Sequence, residues 1–321
     1  MPDRPDISIV IPLYNEADSI GELCSWIDRV LGRKQLKYEI ILVDDGSTDA
    51  SWEEIRRIPA KDGILKALRF NRNFGKSAAL NTGFQYASGE VVITMDADMQ
   101  DSPDEIPELY DMIVRDNYDL VSGWKKKRRD PLGKRLPSRF FNLITRAISG
   151  IPIHDFNCGL KAYRSSVVKS IHVYGEMHRY IPLIAKWQGF NRIGEKPVEH
   201  YPRKYGNTKY GFERFIKGFL DLLSVTFVMR FRRAPMHFFG SLGTISFLAG
   251  FIITAYLIIS KVRSIYLQLP YREVVDQPLF YLALVAIVIG VQLFLAGFLA
   301  ELYTMSSERE SNYPLIDKIG C

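Results

Sequence analysis

The sequence predicts an α/β protein with a mainly parallel, mixed sheet covered by helices on both faces, followed by interfacial helices and a two-helix transmembrane hairpin. Three observations carry that prediction. Short β-branched apolar runs alternate with amphipathic stretches through the first half of the chain, the pattern of strand–crossover–helix units. Four of these runs end in polar clusters. Residues 235–260 and 278–300 contain no Asp, Glu, Lys or Arg, and each stretch exceeds the roughly 20 residues that cross a hydrocarbon core.

Taken in order, residues 7–11 form the first strand and loop 12–16 leads to a helix capped by Asp18 or Ser19 and reaching about Leu31. Residues 38–43 form the second strand, which ends at Asp44-Asp45-Gly46-Ser47-Thr48-Asp49 before a helix from about Ala50. Residues 65–70 form the third strand, then residues 71–76 enter a helix over 77–87. A fourth strand starts at Val91, and residues 120–124 read as another. Ligands on such sheets sit beyond the carboxyl ends of the strands. The pairs Asn15/Glu16, Asp44/Asp45, Asn73/Lys76 and Asp96/Asp98 should therefore meet along one rim.

The stretch after Val91 carries the chemistry. Asp96, Asp98 and Gln100 are spaced two apart, so an extended chain presents three oxygens to one point. Hard oxygen ligands on a partly open site suit Mg²⁺ or Mn²⁺, which completes its shell with water and substrate phosphate. A solvated acidic turn is the alternative for D-x-D taken alone. A carboxylate just after the second strand suits a base or ribose, while D-G-S-T-D is equally good helix-capping chemistry. No G-x-G-x-x-G follows the first strand and no G-x-x-x-x-G-K-[ST] occurs, which weighs against dinucleotide and P-loop classes.

A net charge of +6 admits nucleic acid, an anionic membrane or phosphorylated substrates as partners. The apolar runs favour the lipid bilayer and no nucleic acid, since each Lys or Arg near an anionic leaflet adds about 1 kcal/mol. Lys125 to Arg129 are five consecutive cations, a solvated run on general grounds. Residues 131–148 then interleave Leu132, Leu136, Phe140 and Phe141 with Lys134, Arg135, Arg139 and Arg146, as a basic amphipathic helix on a membrane surface does. Arg135 and Arg139 share a helical face and could hold a lipid phosphate; a core-packing helix with incidental arginines is the alternative. Residues 211–229 read as an interfacial helix, and Arg230, Arg232 and Arg233 before the first span put both hairpin ends in the cytosol. Cys24, Cys158 and Cys321 form neither a disulfide framework nor a zinc pattern, which fits a reducing compartment. The first apolar run is too short for a signal peptide and stops at Pro12, so the catalytic portion is expected in the cytosol.

Residues 9–16 (I-V-I-P-L-Y-N-E), 43–49 (V-D-D-G-S-T-D), 72–76 (R-N-F-G-K) and 96–100 (D-A-D-M-Q) together resemble the inverting family 2 glycosyltransferases. The nearest subgroup is the polyprenyl-phosphate sugar transferases, similar to dolichyl-phosphate mannose synthase and bacterial undecaprenyl-phosphate glucosyltransferase. The resemblance implies a GT-A fold with Pro12, Tyr14, Glu16, Asp44 and Asp45 around the nucleoside and Lys76 near the nucleotide. It puts Asp96 and Asp98 on metal and diphosphate, with Gln100 as an additional metal ligand. It also sets Asp155 beside the acceptor, where a base is chemically unnecessary and the residue could instead orient the acceptor or the sugar. A lipid phosphate is already largely ionised near neutral pH, its second pKa being about 6. A turn-capping role is the alternative for Asp155. His178, in a stretch that also matches, reads as packing or substrate-orienting. Arg203 and Lys209 would hold the nucleotide diphosphate or the acceptor phosphate.

The expected activity is metal-dependent, inverting transfer of one sugar from a nucleotide sugar, a UDP-hexose, to polyprenyl phosphate. The expected location is the cytosolic face of the inner or plasma membrane. The expected parts are a catalytic domain over 1–205, a juxtamembrane helix over 206–233, the hairpin over 234–300 and a cytosolic tail over 301–321, in a chain whose relatives include a homotetramer. A processive polysaccharide synthase usually carries Q-x-x-R-W and more spans, and neither is found here. A non-enzymatic nucleotide-binding membrane scaffold is the other alternative.

Overall fold

A computed structural model describes residues 4–59, 64–126, 142–147, 149–202, 235–306 and 315–320. The chain divides into two units, one comprising Met1–Val225 with Ser311–Cys321 and the other Thr226–Glu310.

In the first unit, β1 (Ile7–Leu13), β2 (Tyr38–Asp44), β3 (Leu65–Phe70) and β4 (Val91–Thr94) alternate with α1 (Ala17–Lys34), α2 (Ser51–Arg57) and α3 (Lys76–Tyr86). Then come α4 (Ile106–Val114), β5 (Leu120–Trp124), β6 (Lys161–Arg164), α5 (Ser165–Ser170), α6 (Ile181–Trp187) and β7 (Ile193–Pro197). The sheet order is β7-β5-β6-β4-β1-β2-β3-β8, where β8 is Leu315–Ile319. Strands β1, β2, β3 and β4 are mutually parallel, while β6 runs antiparallel to β4 and β5. The chain winds from β1 toward β3 on one side and resumes at β4 on the other. The loops after β1 and β4 thus flank a topological switch point, where such sheets bind ligands.

Burial on both faces of the central strands explains the core. Ile7, Ile9 and Ile11 share a fully buried cluster with Ile20, Leu23 and Ile27 of α1. Val10 instead meets α3 so closely that a Cβ at Gly83 would lie 2.3 Å from its Cγ1. Helix α1 starts at Ala17 with Glu16 in the cap position and no side-chain cap bond, so neither Asp18 nor Ser19 caps it. The loop after β2 satisfies the free amides instead: Ala17 donates to Asp49 Oδ2 at 3.3 Å and Glu16 to Ser51 Oγ at 2.9 Å.

The last strand departs from the expected tail. β8 adds an antiparallel edge to β3, with Arg69 opposite Asp317. Asp317 accepts from the Trp52 indole N–H at 3.2 Å and pairs with Arg56. Trp52 is buried, with the Arg69 guanidinium 5.7 Å from its ring centre. We expect Trp52→Ala to destabilise this unit by about 3–5 kcal/mol, read by denaturant unfolding of detergent-purified protein. Arg57→Ala, which removes an exposed pair with Glu54, should stay within about 0.5 kcal/mol.

The second unit is a pair of helices, α7 (Pro235–Tyr266) and α8 (Pro278–Ser306). They pack through small residues: a Cβ at Gly243 would lie 2.7 Å from the Gly290 carbonyl oxygen. Ser246 Oγ donates to the Ala286 carbonyl at 2.8 Å. Mean hydropathy reaches 2.2 and 2.6, and only 17% of each apolar window is buried within the protein. Both helices are long and apolar enough to cross a membrane, and their exposed Ile, Leu and Phe faces distinguish them from the core helices of a soluble domain. The first runs on past residue 260, through Lys261 and Arg263, to Tyr266.

Candidate active site

The rim is assembled from loops that hold one another. Asn15 takes a left-handed conformation (φ 56°). Its N–H donates to Ser47 Oγ at 2.9 Å, and its Oδ1 accepts from the Thr48 N–H at 2.8 Å. At the end of β2, Asp44 is fully buried; Oδ1 accepts from the Ser47 N–H at 2.8 Å and Oδ2 lies 3.4 Å from Arg69 Nε. Burial pushes its carboxyl up. Asp45 accepts from the amides of Phe74 (2.7 Å) and Gly75 (2.9 Å), while burial raises it to about 6. Gly46 (φ 71°) lets this loop touch the next, since a Cβ there would sit 2.5 Å from the Arg72 carbonyl carbon. Pro12 is buried inside β1, Tyr14 is exposed and Glu16 is half-buried. The first three predicted clusters therefore form one shelf, and Asp45 spends both oxygens bracing it.

The acidic stretch differs from its sequence reading. Met95, Ala97 and Met99 are 0%, 4% and 6% exposed, whereas Asp96, Asp98 and Gln100 are only partly buried, so the alternation is real. The backbone is not extended, however: β4 stops at Thr94, residues 97–98 turn, and Met99 is left-handed at φ 60°. Asp98 Oδ1 accepts from the Gln100 N–H at 3.2 Å, a local bond that bends the chain. The acids are presented from a turn, and the backbone carbonyl of Gln100 accepts from the Tyr201 N–H at 2.9 Å.

Asp96 pairs with Lys76, and its carboxylate packs on Gly159, where a Cβ would lie 2.5 Å from Oδ2. Burial pushes the Asp96 carboxyl up, but Lys76, with Lys125, outweighs it and holds the group down at about 2. Asp98 moves the other way, to about 6, through burial and the neighbouring Asp96 and Asp101. Buried Asp101 pairs with Lys125 Nζ at 2.8 Å. Among the described residues no three His, Cys, Asp or Glu side chains form a metal-type group. The donor chemistry still fits a hard divalent cation, because Asp96 and Asp98 are partly accessible oxygen donors whose mutual repulsion such an ion relieves.

Asp155 is buried; its Oδ1 accepts from the Asn157 N–H at 3.1 Å and its carbonyl from Ser122 Oγ at 3.1 Å. The first bond closes a turn in the 154–160 segment and the second ties that turn to β5. His178 is held by Ser77, whose Oγ accepts the His178 N–H at 3.0 Å and lies 3.1 Å from Nδ1. Burial, then Lys76, keeps this imidazole neutral. A narrow cleft is lined by Lys76, Thr94, Lys161, Tyr163, His178 and Arg179, among others. Sequence reasoning did not single out Lys161, although a lysine in the otherwise inward-facing Lys-Ala-Tyr run of β6 was the available signal. Four predicted residues, Arg135, Arg139, Arg203 and Lys209, lie outside the described residues, as do most of the two amphipathic segments.

Residues 8–171 match the family model for Glycosyl transferase family 2. The chain is 36% identical over 312 residues to the dodecaprenyl-phosphate galacturonate synthase of Rhizobium johnstonii, covering 96% of this chain and 90% of that protein. It is 36% identical over 260 residues to the undecaprenyl-phosphate 4-deoxy-4-formamido-L-arabinose transferase of Pseudomonas paraeruginosa, covering 79% and 74%. Glucosyl-3-phosphoglycerate synthase of Mycobacterium tuberculosis, solved with Mn²⁺ and UDP-glucose, superposes with a TM-score of 0.53 at 19% identity over 70% of this chain and 79% of that one. Mannosyl-3-phosphoglycerate synthase of Rubrobacter xylanophilus gives 0.53 at 17% identity over 68% and 73%. At those identities the likeness is one of fold, a GT-A-like α/β sheet. With the rim carboxylates on a sheet of this kind and a sequence match running along nearly the whole chain, the protein is a glycosyltransferase and belongs to glycosyl transferase family 2.

Proposed function

We propose that this glycosyltransferase moves a single sugar from a nucleotide sugar, a UDP-hexose, onto polyprenyl phosphate at the cytosolic face of the inner or plasma membrane, inverting the anomeric carbon. One observation carries the reading: a single chain joins a rim bearing Lys76, Asp96 and Asp98 to two helices long and apolar enough to span a bilayer. An acceptor with a polar phosphate and an insoluble tail requires both parts. The activities of the two polyprenyl-phosphate relatives support the same acceptor class.

In this reading the shelf of Pro12, Tyr14, Glu16, Asp44 and Asp45 seats the nucleoside, and Lys76 faces the diphosphate. A divalent cation, Mg²⁺ or Mn²⁺, held by Asp96 and Asp98 with Gln100 as a further ligand, would neutralise charge on the departing nucleoside diphosphate. Arg203 and Lys209 act on substrate phosphates, and Arg135 and Arg139 on the lipid phosphate. An acceptor phosphate oxygen bonds to the anomeric carbon as the bond to the diphosphate oxygen breaks. No proton has to move, so Asp155, already closing a turn, positions the acceptor side of the site.

The test supplies membranes containing the protein with labelled nucleotide sugars and extracts with organic solvent. Label should pass into a mild-acid-labile lipid, and the yield should fall to background with EDTA. Label that stays water-soluble with every donor would overturn the transferase reading, and full activity in EDTA would remove the metal.

A further inference from the structure

The cleft beside Asp96 contains a charge that the proposed mechanism does not use. Lys161 is 3% exposed and lies in β6, directly opposite Thr94 of β4. Its ammonium donates to the Cys158 carbonyl, and among the described residues no carboxylate lies within ion-pairing distance of it. A buried cation held by one neutral acceptor is costly unless an anion completes its shell. Burial pushes this ammonium downward by more than the carboxylates of Asp155 and Asp96, neither of them paired with it, draw it up.

The neighbouring groups are donors too. Ser77 Oγ accepts from the His178 backbone N–H and lies 3.1 Å from Nδ1, which fixes the imidazole in the wall of this cleft. Arg179, whose side chain is mostly buried, lines the same cleft. Lys76 and Ser77 are the first residues of the eleven-residue helix α3, whose N-terminal end carries partial positive charge.

We propose that Lys161, His178 and Arg179, with the N-terminus of α3, form an oxyanion subsite that receives an anionic group of a substrate, either a carboxylate on the transferred sugar or the phosphate of the acceptor. The inference rests on the sugar-transferase reading and specifies which substrates that site selects. Lys161 is a positioning and specificity residue here, since no step takes a proton from it.

The experiment uses full-length protein in detergent or nanodiscs and compares wild type with Lys161→Met and Lys161→Arg. Apparent KM is measured for UDP-galacturonate, UDP-galactose and undecaprenyl phosphate. A carboxylate ligand predicts that Lys161→Met raises KM for UDP-galacturonate about tenfold and leaves UDP-galactose unchanged. A phosphate ligand predicts the same rise for undecaprenyl phosphate with either donor. Lys161→Arg should recover part of the loss in both cases. If every KM stays within about twofold of wild type while only Tm or kcat moves, the residue is structural and the subsite is wrong. Should wild type transfer no sugar from any donor, the transferase reading fails separately. The subsite is then decided by thermal shift: inorganic phosphate or free galacturonate must raise the Tm of wild type and not of Lys161→Met, and no rise in wild type overturns it.

Discussion

Asp98→Ala is expected to lower sugar–lipid formation by about 10²–10³-fold or more, the scale on which loss of one preorganised charge-stabilising group is felt. The yield of membrane-embedded protein should be unchanged. Asp98 lies in a turn where burial, Asp96 and Asp101 all oppose its charge, so the protein maintains it at a cost that folding alone does not require. Its alanine variant removes that repulsion and should melt no lower than wild type. Loss of activity with retained or raised Tm is the signature of a functional carboxylate. Asp98→Ala with near-wild-type turnover, or with a collapsed Tm, would remove Asp98 from the chemistry. Asp96 makes a poorer probe, because its removal also strands Lys76.

The parts of the fold legible in the sequence are those in which a local pattern and the tertiary structure agree. Ile7, Ile9, Ile11 and Val10 fill both faces of a central strand, and an apolar β-branched run has no other soluble use at that length. The convergence of Asn15, Asp45 and Phe74–Gly75 followed from strand ends alone, because parallel strands put successive loops on one rim. What escaped is non-local. Asp49 and Ser51 cap a helix some thirty residues earlier, and a cap supplied across space leaves only an uncapped start in the sequence. β8 is five residues beginning with Leu315, too short to stand out as a strand until β3 offers an edge. The turn at Asp98 was hidden because alternation in burial survives a bend that alternation in backbone direction does not. Lys161 was passed over because a lysine reads as surface wherever its neighbours are unknown.

Asp45→Ala should produce the second large effect, with a pH dependence that identifies its origin. The carboxylate accepts from the Phe74 and Gly75 amides, which lead into α3. Part-buried amides left without acceptors cost about 1–3 kcal/mol together, and the freed loop should raise donor KM by roughly tenfold. Burial has meanwhile lifted the Asp45 carboxyl from 3.8 to about 6. The folded state therefore binds the proton more tightly than the unfolded chain. The stability that protonation confers is fully present below about pH 3.8 and is lost as the pH rises through about 6. Relative to the alanine variant, wild type should gain about 1–3 kcal/mol on going from pH 7.5 to pH 4.5. The difference between the two proteins cancels most of what other carboxylates contribute over that range. Thermal or denaturant melts of both proteins at the two pH values test this directly. A stability gap that narrows in acid would mean that the amide bonds dominate over burial, and an unchanged Tm at both pH values would mean that Asp45 does not brace the shelf.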